Sequence, residues 1–542
     1  MKTLLLLAVL AGIFCDDAYQ EPALLLSGAS CIEELGEDEI ERYRHLYEHP
    51  VPVNTASRAR LQSSGLFSAF QLESLMRYRE EYGDILSITE LSMVSGFGGD
   101  VSGALGYFIS LESRNAPGQL ENKRKEVDIM IRGSARRDGG NNPPGILWTE
   151  GMKLSLNYGD RAELNWASRT TYGDPSFKLG TLSAAWYGRR LPVKVVAGNF
   201  AARFGQGLTQ WSGFSLSSLN SVSAFSRNGS GLSATTSFSS SLLGIGADVA
   251  FGRFALSAAG SWDSVFRPIG NLSWSSDNLS LGVTCTGDGV GADIRLGLPD
   301  TAVSAEVSRR WAGGYGAVSS IVWTPAYGTK LAFQGRFFEP SFKKDYSGAA
   351  VCLENSSLTV SADAAWHFAR EVSQYRMFAE VRPLIGTDTL GIRPVLRCNA
   401  RCRDGSWRTD LRGELSAVCG PWRLDARYNM LWCRSRAWLW YVEPGVRESA
   451  YAAYLRFTLF RIDDWDDRIY VYERDAPGSF NVPAYYGRGL SVSLAASAGV
   501  EGRKVRHRFH LRAAYTAYPW NLEPKASRLE VKLQYECRWY WY

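Results

Sequence analysis

The chain has 542 residues, of which 21% are charged and 13% aromatic, with 53 glycines against 20 prolines. Such a chain is too apolar and aromatic for disorder, and its glycines follow no collagen period. The net charge of +5 conceals a division: residues 31–114 hold 14 acidic against 7 basic side chains, a net of −7, residues 1–30 carry −2, and everything from Asn115 onward is left with +14.

Residues 1–18 read as a signal peptide, with Lys2 ahead of an apolar run at 4–14 that is too short to cross a bilayer. Cys15 offers an alternative lipidation point, although Gly12-Ile13-Phe14 is a bulky approach to it. No later stretch reaches the ~18 apolar residues of a spanning helix, so any membrane residence must use strands.

Residues 19–52 are expected to be a linker and a leading helix, with helical period over 32–47 and a break at Pro50 and Pro52. Residues 53–114 are expected to form a small all-α domain. Asn54 and Thr55 are its first N-cap candidates. Further helices are expected over 70–82, 89–94 and 101–111, separated by Gly83-Asp84 and by Ser95-Gly96-Phe97-Gly98-Gly99-Asp100.

From 115 to 542 the period changes to two. Met152, Leu154, Leu156 and Tyr158 alternate with polar residues, Gly159-Asp160 turns the chain, and Ala162, Leu164 and Trp166 alternate again. Similar hairpins are expected around Gly252-Arg253 and Gly420-Pro421, and the last strand alternates Leu529, Val531, Leu533 and Tyr535 with charged or polar residues. Alternation alone also suits a secreted soluble β-protein. A long strand-and-turn segment with no covering helix, aromatic clusters at strand ends and an aromatic C-terminus favour a large antiparallel transmembrane barrel of roughly two dozen strands. Its apolar face runs through Trp541, not Tyr542. The +14 is expected to describe a wet lumen and loops, with an anion-preferring pore as the alternative.

The segment 53–109 resembles the tandem helix-hairpin-helix domain of the competence DNA receptors. The likeness rests on Val53-Asn54-Thr55-Ala56-Ser57, Arg77-Tyr78-Arg79-Glu80-Glu81-Tyr82-Gly83, Glu90-Leu91 and Val94-Ser95-Gly96-Phe97-Gly98. The whole arrangement is similar to exported proteins of Bacteroidota type that join such a domain to an outer-membrane barrel. Leu46-Tyr47-Glu48-His49-Pro50, Phe204-Gly205-Gln206-Gly207-Leu208, Tyr470-Val471-Tyr472-Glu473 and Tyr485-Tyr486-Gly487-Arg488-Gly489 carry that second likeness. The first implies that glycine hairpins present backbone N–H groups to DNA phosphate, with Gly65, Gly96, Phe97, Gly98 and Gly99 in the hairpins and Arg77 and Arg79 beside them. Phe67 stands where the first hairpin would carry its second glycine, and a net of −7 repels a polyanion.

No nucleophile elbow, Walker loop or HExxH motif occurs. Gly287-Asp288-Gly289 and Gly244-Ile245-Gly246 read as hairpin turns, and His507 and His510, three apart on a strand, should face opposite ways. Nine scattered cysteines read as small apolar strand residues. No catalytic residue, metal or cofactor is expected. The expected protein is a non-enzymatic outer-membrane barrel whose periplasmic helical domain serves as a plug or as a docking site for another envelope protein, with DNA binding or uptake as the alternative and outer-membrane lipid as a partner.

Overall fold

The computed structural model describes residues 18–112, 125–139, 145–159, 161–172, 174–188, 193–213, 215–216, 218–238, 241–276, 278–326, 328–342, 345–383, 385–386, 390–521 and 524–541. Most of them form a closed antiparallel barrel of 24 long strands, from β3 (Lys125–Asp138) to a last strand at Arg528–Trp541. Two short ribbons, Gly231–Ala234 and Ile385–Gly386, lie alongside without interrupting the ring. The ring closes by pairing its first and last strands, from Lys125 opposite Trp541 to Asp138 opposite Arg528. Closure leaves no unpaired edge. With an even strand number, both ends of the barrel chain lie at one rim, called here the terminal rim.

The hairpins fall where the alternation places them. Tyr158 faces Ala162, Phe251 faces Phe254, and Cys419 faces Trp422. Gly159, Gly252 and Gly420 take positive φ at these turns. Gly244-Ile245-Gly246 is a correction: it is not a turn but lies inside the strand Leu242–Phe251. A Cβ on Gly244 would sit 1.9 Å from the Gly260 carbonyl oxygen, so close strand approach, and not turning, explains the glycine there.

Large apolar side chains point outward around the ring, among them Ile131, Leu164, Leu272, Ile321, Phe333, Met377, Leu411, Phe457, Phe509 and Leu533. Tryptophans band both rims: Trp186, Trp323, Trp422, Trp539 and Trp541 at the terminal rim, and Trp148, Trp262, Trp366 and Trp407 at the far rim. An apolar outer wall between two aromatic girdles is the surface of a barrel solvated by lipid, which a secreted soluble β-protein would not carry.

The connections at the terminal rim are short. Two at the far rim are long, from Arg203 to Leu242 and from Ile462 to Gly487, and both fold inward onto the barrel's inner face. Glu306 fixes the first by accepting from the amides of Gln206 (2.6 Å), Leu208 (3.2 Å) and Thr209 (3.0 Å) and from the Thr209 hydroxyl (2.9 Å). The second is fixed by Arg512 on Glu473 (2.5 Å), Lys532 on Asp475 (2.6 Å) and Arg132 on the Gly478 carbonyl (3.0 Å).

Ahead of the barrel lie helices α1 (Gln20–Ser27), α2 (Glu37–Glu48), α3 (Arg58–Ser63), α4 (Ala69–Glu81), α5 (Ile88–Met93) and α6 (Gly98–Leu105). Their shared core includes Tyr43, Val53, Leu61, Phe67, Leu75, Ile85, Leu91, Phe97, Leu105 and Phe108. Three expectations shift in this segment. The first N-cap is Ser57, not Asn54 or Thr55, because Asn54 is fully buried and its amide brackets the backbone of Ile85. The last helix starts earlier and stops sooner, since Ile109–Ser110 (β2) leaves it to pair in parallel with Val51–Pro52 (β1). α1 was hidden by its short apolar stretch.

Candidate functional site: the seam between helices and barrel wall

α2 begins with Glu37, Asp38 and Glu39 in its first turn, where acids complement the helix dipole. Along its length the acids and bases sort onto separate targets in the wall. Glu39 bonds Arg42 on its own helix (2.6 Å) and Arg203 of the barrel (2.8 Å). Glu41 takes Lys153 (2.5 Å), and Arg44 reaches Glu536 (3.0 Å). Glu48 closes the helix between Arg538 (2.6 Å) and Arg508 (3.3 Å). Ahead of α2, Glu33 lies between Arg427 (2.5 Å) and Arg412 (3.3 Å) and also accepts from the Tyr472 amide (3.0 Å). Beyond it, Arg60 pairs with Glu163 (3.2 Å) and Asp100 with Lys330 (3.4 Å). Arg393 holds Glu21.

These wall residues fall in three parts of the ring, on the adjoining strands from Val505–Ala517 round to Val193–Arg203, on those from Leu390–Arg403 to Trp422–Trp432, and on Thr329–Phe338, and each is on the face opposite the lipid-facing side chains. One helical segment can touch inner faces in such separate parts of the ring only from within the barrel's mouth. The charge division of the sequence is therefore a charge pairing in space. The lumen cations are not simply a wet lining, as expected from the sequence, since many hold the acids of the N-terminal segment.

His45 and His49 lie in the same seam, with ring centroids 4.7 Å apart. His49 Nδ1 is 2.9 Å from Glu126 and Nε2 is 3.4 Å from Asp128, both on β3. Burial and Arg538 oppose charge on His49, yet its bonds to Asp128 and Glu126 outweigh them and raise its pKa. Burial, with His49 and Lys153 nearby, pushes His45 well below the usual histidine value. The pair is thus built for one charge. Burial also works against the Glu39 carboxylate, but Arg42 and Arg203 prevail and lower it to about 2. Glu48 is likewise held well below the carboxylate range by Arg44, Arg538 and Arg508 despite its burial.

His49, Glu126 and Asp128 are also the residues, among those described, whose donor atoms come close enough to suggest a metal, within 4.8 Å of one another. Each carboxylate lies against a different ring nitrogen, and Arg538 bonds Asp128 at 2.5 Å. That geometry suits a hydrogen-bonded ion pair and directs no common vertex for a cation.

Polar cavities run along α2. One of about 240 Å³ lies at the terminal rim beside Pro50 and Gly159, and another of about 220 Å³ lies deeper, beside Arg132, Lys153 and Arg203. His45, Arg60, Glu163 and Tyr187 line both.

The residues expected to hold phosphate are not gathered into one cradle. Gly65 takes φ +68 with Arg42 directly against it, and Arg42 spends a bond on the Ser64 carbonyl (2.8 Å). Gly96, Gly98 and Gly99 are exposed; Gly96 has φ +87 and leans on the Phe70 ring, while nothing approaches Gly98 or Gly99. The Phe97 side chain is buried edge-on to Phe67, and its amide donates to the Val94 carbonyl (3.2 Å). Arg79 is engaged with the carbonyls of Asn54 (2.9 Å) and Ala56 (3.1 Å), and Arg77 is half-buried on the same helix.

The glutamates of the seam were missed as site residues because, in sequence, an acidic helix reads as a solvated face. The available signal was the contrast of −7 against +14. His507 and His510 do face opposite ways: His507 stacks on Tyr535 outside the barrel, and His510 is buried inside near Glu536. The eight described cysteines form no disulfide.

No protein-family model matches the chain, and no curated protein matches it. Solved structures with a similar fold are large barrels. The P pilus usher (PapC) translocation pore shares 10% identity at a TM-score of 0.40, covering 77% of this chain and 99% of that one. The outer membrane protein OpdK of Pseudomonas aeruginosa shares 10% at 0.30, with the same coverage. OccK2 (OpdF) of Pseudomonas aeruginosa shares 8% at 0.33, over 76% of this chain and 98% of that one. At this level of likeness they say nothing of what this barrel does. The closed ring and its lipid-facing wall define the class by themselves: a large outer-membrane β-barrel.

Proposed function

We propose that the protein is a non-enzymatic outer-membrane barrel closed from the periplasmic side by its own N-terminal segment, a tandem helix-hairpin-helix module acting as plug. The observation that carries this is a set of ion pairs to inner-face residues in separate parts of the ring: Glu39, Glu41, Glu48 and Arg60 meet one run of strands that carries Arg203, Lys153, Arg538 and Glu163, Glu33 meets Arg427 and Arg412, and Asp100 meets Lys330. A domain used only for docking would need one point of attachment, whereas a plug needs several. The two inward-folded connections complete the closure from the far rim. The exposed end of the module, with Tyr82, Leu86 and Met93 open to solvent, is where an envelope partner would meet it and trigger release.

Ion conductance across planar bilayers tests the plug. The full chain should pass almost no current, and the double variant Glu39→Arg, Glu48→Arg should open a wide pore. A wide, steady pore from the unaltered chain would remove this reading.

The DNA alternative has one observation on its side, the exposure of Gly96, Gly98 and Gly99. Against it, Arg79 is engaged within the segment and Glu80, Glu81 and Asp100 are exposed on the same portion of it.

A further inference from the structure

At one end of the helical module the apolar side chains face the wrong way. Tyr82, Leu86 and Met93 keep 72%, 70% and 81% of their surface exposed, against 38% and 45% for Leu25 and Tyr107, the next most open large apolar side chains in residues 18–112. The first two are joined through a short network. Tyr82 packs its ring 5.0 Å from that of Tyr78, the Tyr78 hydroxyl donates to Glu90 (2.8 Å), and the other oxygen of Glu90 accepts from the Leu86 amide (2.8 Å). Met93 stands one turn beyond Glu90 on α5. An apolar surface thus covers the meeting of α4 and α5, on the part of the module that reaches the terminal rim through Asp100 and Lys330.

The charges at this end also run against local rules. α4 finishes on Glu80 and Glu81, both exposed, and carboxylates at a helix C-terminus oppose its dipole. Residues 76–112 hold six acidic against two basic side chains, a net of −4 however they are paired. The turns of the terminal rim between Phe251 and Lys330 add Arg253 and Lys330 against Asp300 among the described residues, which still leaves −3. A surface with open apolar groups and surplus acid is completed by an apolar group set among cations. Those cations would also complement the α4 dipole.

We infer that Tyr82, Leu86 and Met93, with Glu80 and Glu81, form the docking surface for an envelope protein segment that presents an apolar side chain flanked by lysine or arginine. The inference rests on the plug reading, in which this end looks into the periplasm, and it names the chemistry of the partner. A second copy offering the same surface would set acid against acid. An anionic bilayer surface or a nucleic acid is repelled for the same reason.

The test puts a photo-crosslinking side chain on the surface, Leu86→p-benzoylphenylalanine, in the full chain in cells that make it, and maps the joined residues by mass spectrometry. The expected product is an envelope protein joined within a few residues of lysine or arginine, with a yield that falls several-fold as salt is raised in isolated envelopes. Glu80→Lys combined with Glu81→Lys should lower the yield several-fold, and glutamates in place of the partner's basic residues should restore it in that variant. Lysines suit a helix C-terminus, so amide exchange in α4 should be no faster in the variant. Faster exchange would make the two acids structural and overturn the inference. It is overturned equally by cross-links to lipid or to a second copy alone, by none, or by a yield that the charge reversal leaves unchanged. Bilayer conductance of the unaltered chain separates the two readings. A closed barrel without the cross-link removes the docking surface and leaves the plug, whereas a wide, steady pore removes the plug whatever is cross-linked.

Discussion

Glu48, the last residue of α2, and Arg538, in the final barrel strand, meet at 2.6 Å across 490 positions of chain. Arg508 and Arg44 flank the same carboxylate at 3.3 and 3.2 Å. Their side chains keep only 11–15% of their accessible surface, so solvent screens them little. Replacing Glu48 with Gln removes the carboxylate that three guanidinium groups share, while Arg44 keeps Glu536 and Arg538 keeps Asp128. Breaking one partner of a buried pair costs roughly 3–5 kcal/mol, and residual exposure brings this site toward about 2 kcal/mol. Amide hydrogen exchange in α2 of Glu48→Gln should accelerate, while the barrel strands keep their protection. Unchanged protection in α2 would mean that the pair does not hold the helix.

The two histidines should give opposite pH signatures. His49 has a raised pKa, so its stabilisation is complete below its ordinary value of 6.5 and is lost as pH rises through the raised value. His45 has a lowered one, so holding it neutral costs nothing above 6.5 and weakens the seated state as pH falls below it. His49→Gln should therefore loosen α2 more at mildly acidic than at alkaline pH, and His45→Gln should tighten it at mildly acidic pH. Exchange rates for α2 across that range check both signs. The carboxylates follow a separate window: Glu39, lowered to about 2, keeps its contribution above 4.5 and loses it only as pH falls towards 2.

Glu306 pins the Gly205–Thr209 turn with four hydrogen bonds. A glutamine there keeps one acceptor oxygen and turns a donor toward backbone amides. At roughly 1.5–3 kcal/mol for a bond to a charged group, losing part of the set should free the connection without unfolding the strands. Protease cleavage confined to residues 204–230 in Glu306→Gln would meet this expectation. Cleavage unaltered from the parent chain would count against the pin.

Duplex DNA offered to the full chain should show no salt-sensitive binding. The cradle is dispersed, Arg79 bonds the Asn54 and Ala56 carbonyls, and the exposed end carries Glu80, Glu81 and Asp100. Binding that weakens with salt and disappears on Gly98→Val would restore the DNA reading.

Much of the fold was legible because its signals are periodic. Leu529, Val531, Leu533 and Tyr535 announce a one-sided strand, and Gly159 announces its turn, whatever their partners are. Gly244 was misread because a strand glycine and a turn glycine look alike until the neighbouring backbone is known. Asn54 was misread because the same side chain that caps a helix can bracket a distant backbone, and Ile85 lies 31 residues away. The seam was hardest to see. Glu39, Glu41 and Glu48 in one acidic helix give no hint that Arg203, Lys153 and Arg538 will surround them. Yet Leu46-Tyr47-Glu48-His49-Pro50, Phe204-Gly205-Gln206-Gly207-Leu208 and Tyr470-Val471-Tyr472-Glu473, which carry the family resemblance, all fall where helices, inward connections and wall meet.

A zero-length carbodiimide cross-link made in intact outer membranes tests most directly whether the helical segment is seated in the lumen. Lys153 and Glu41 lie 2.5 Å apart and need no substitution to be joined. Mass spectrometry should find an isopeptide between them in the unaltered chain and lose it in Glu41→Gln. Recovery of Lys153 unjoined, with Glu41 cross-linked only to lysines outside the barrel or to none, would contradict the account.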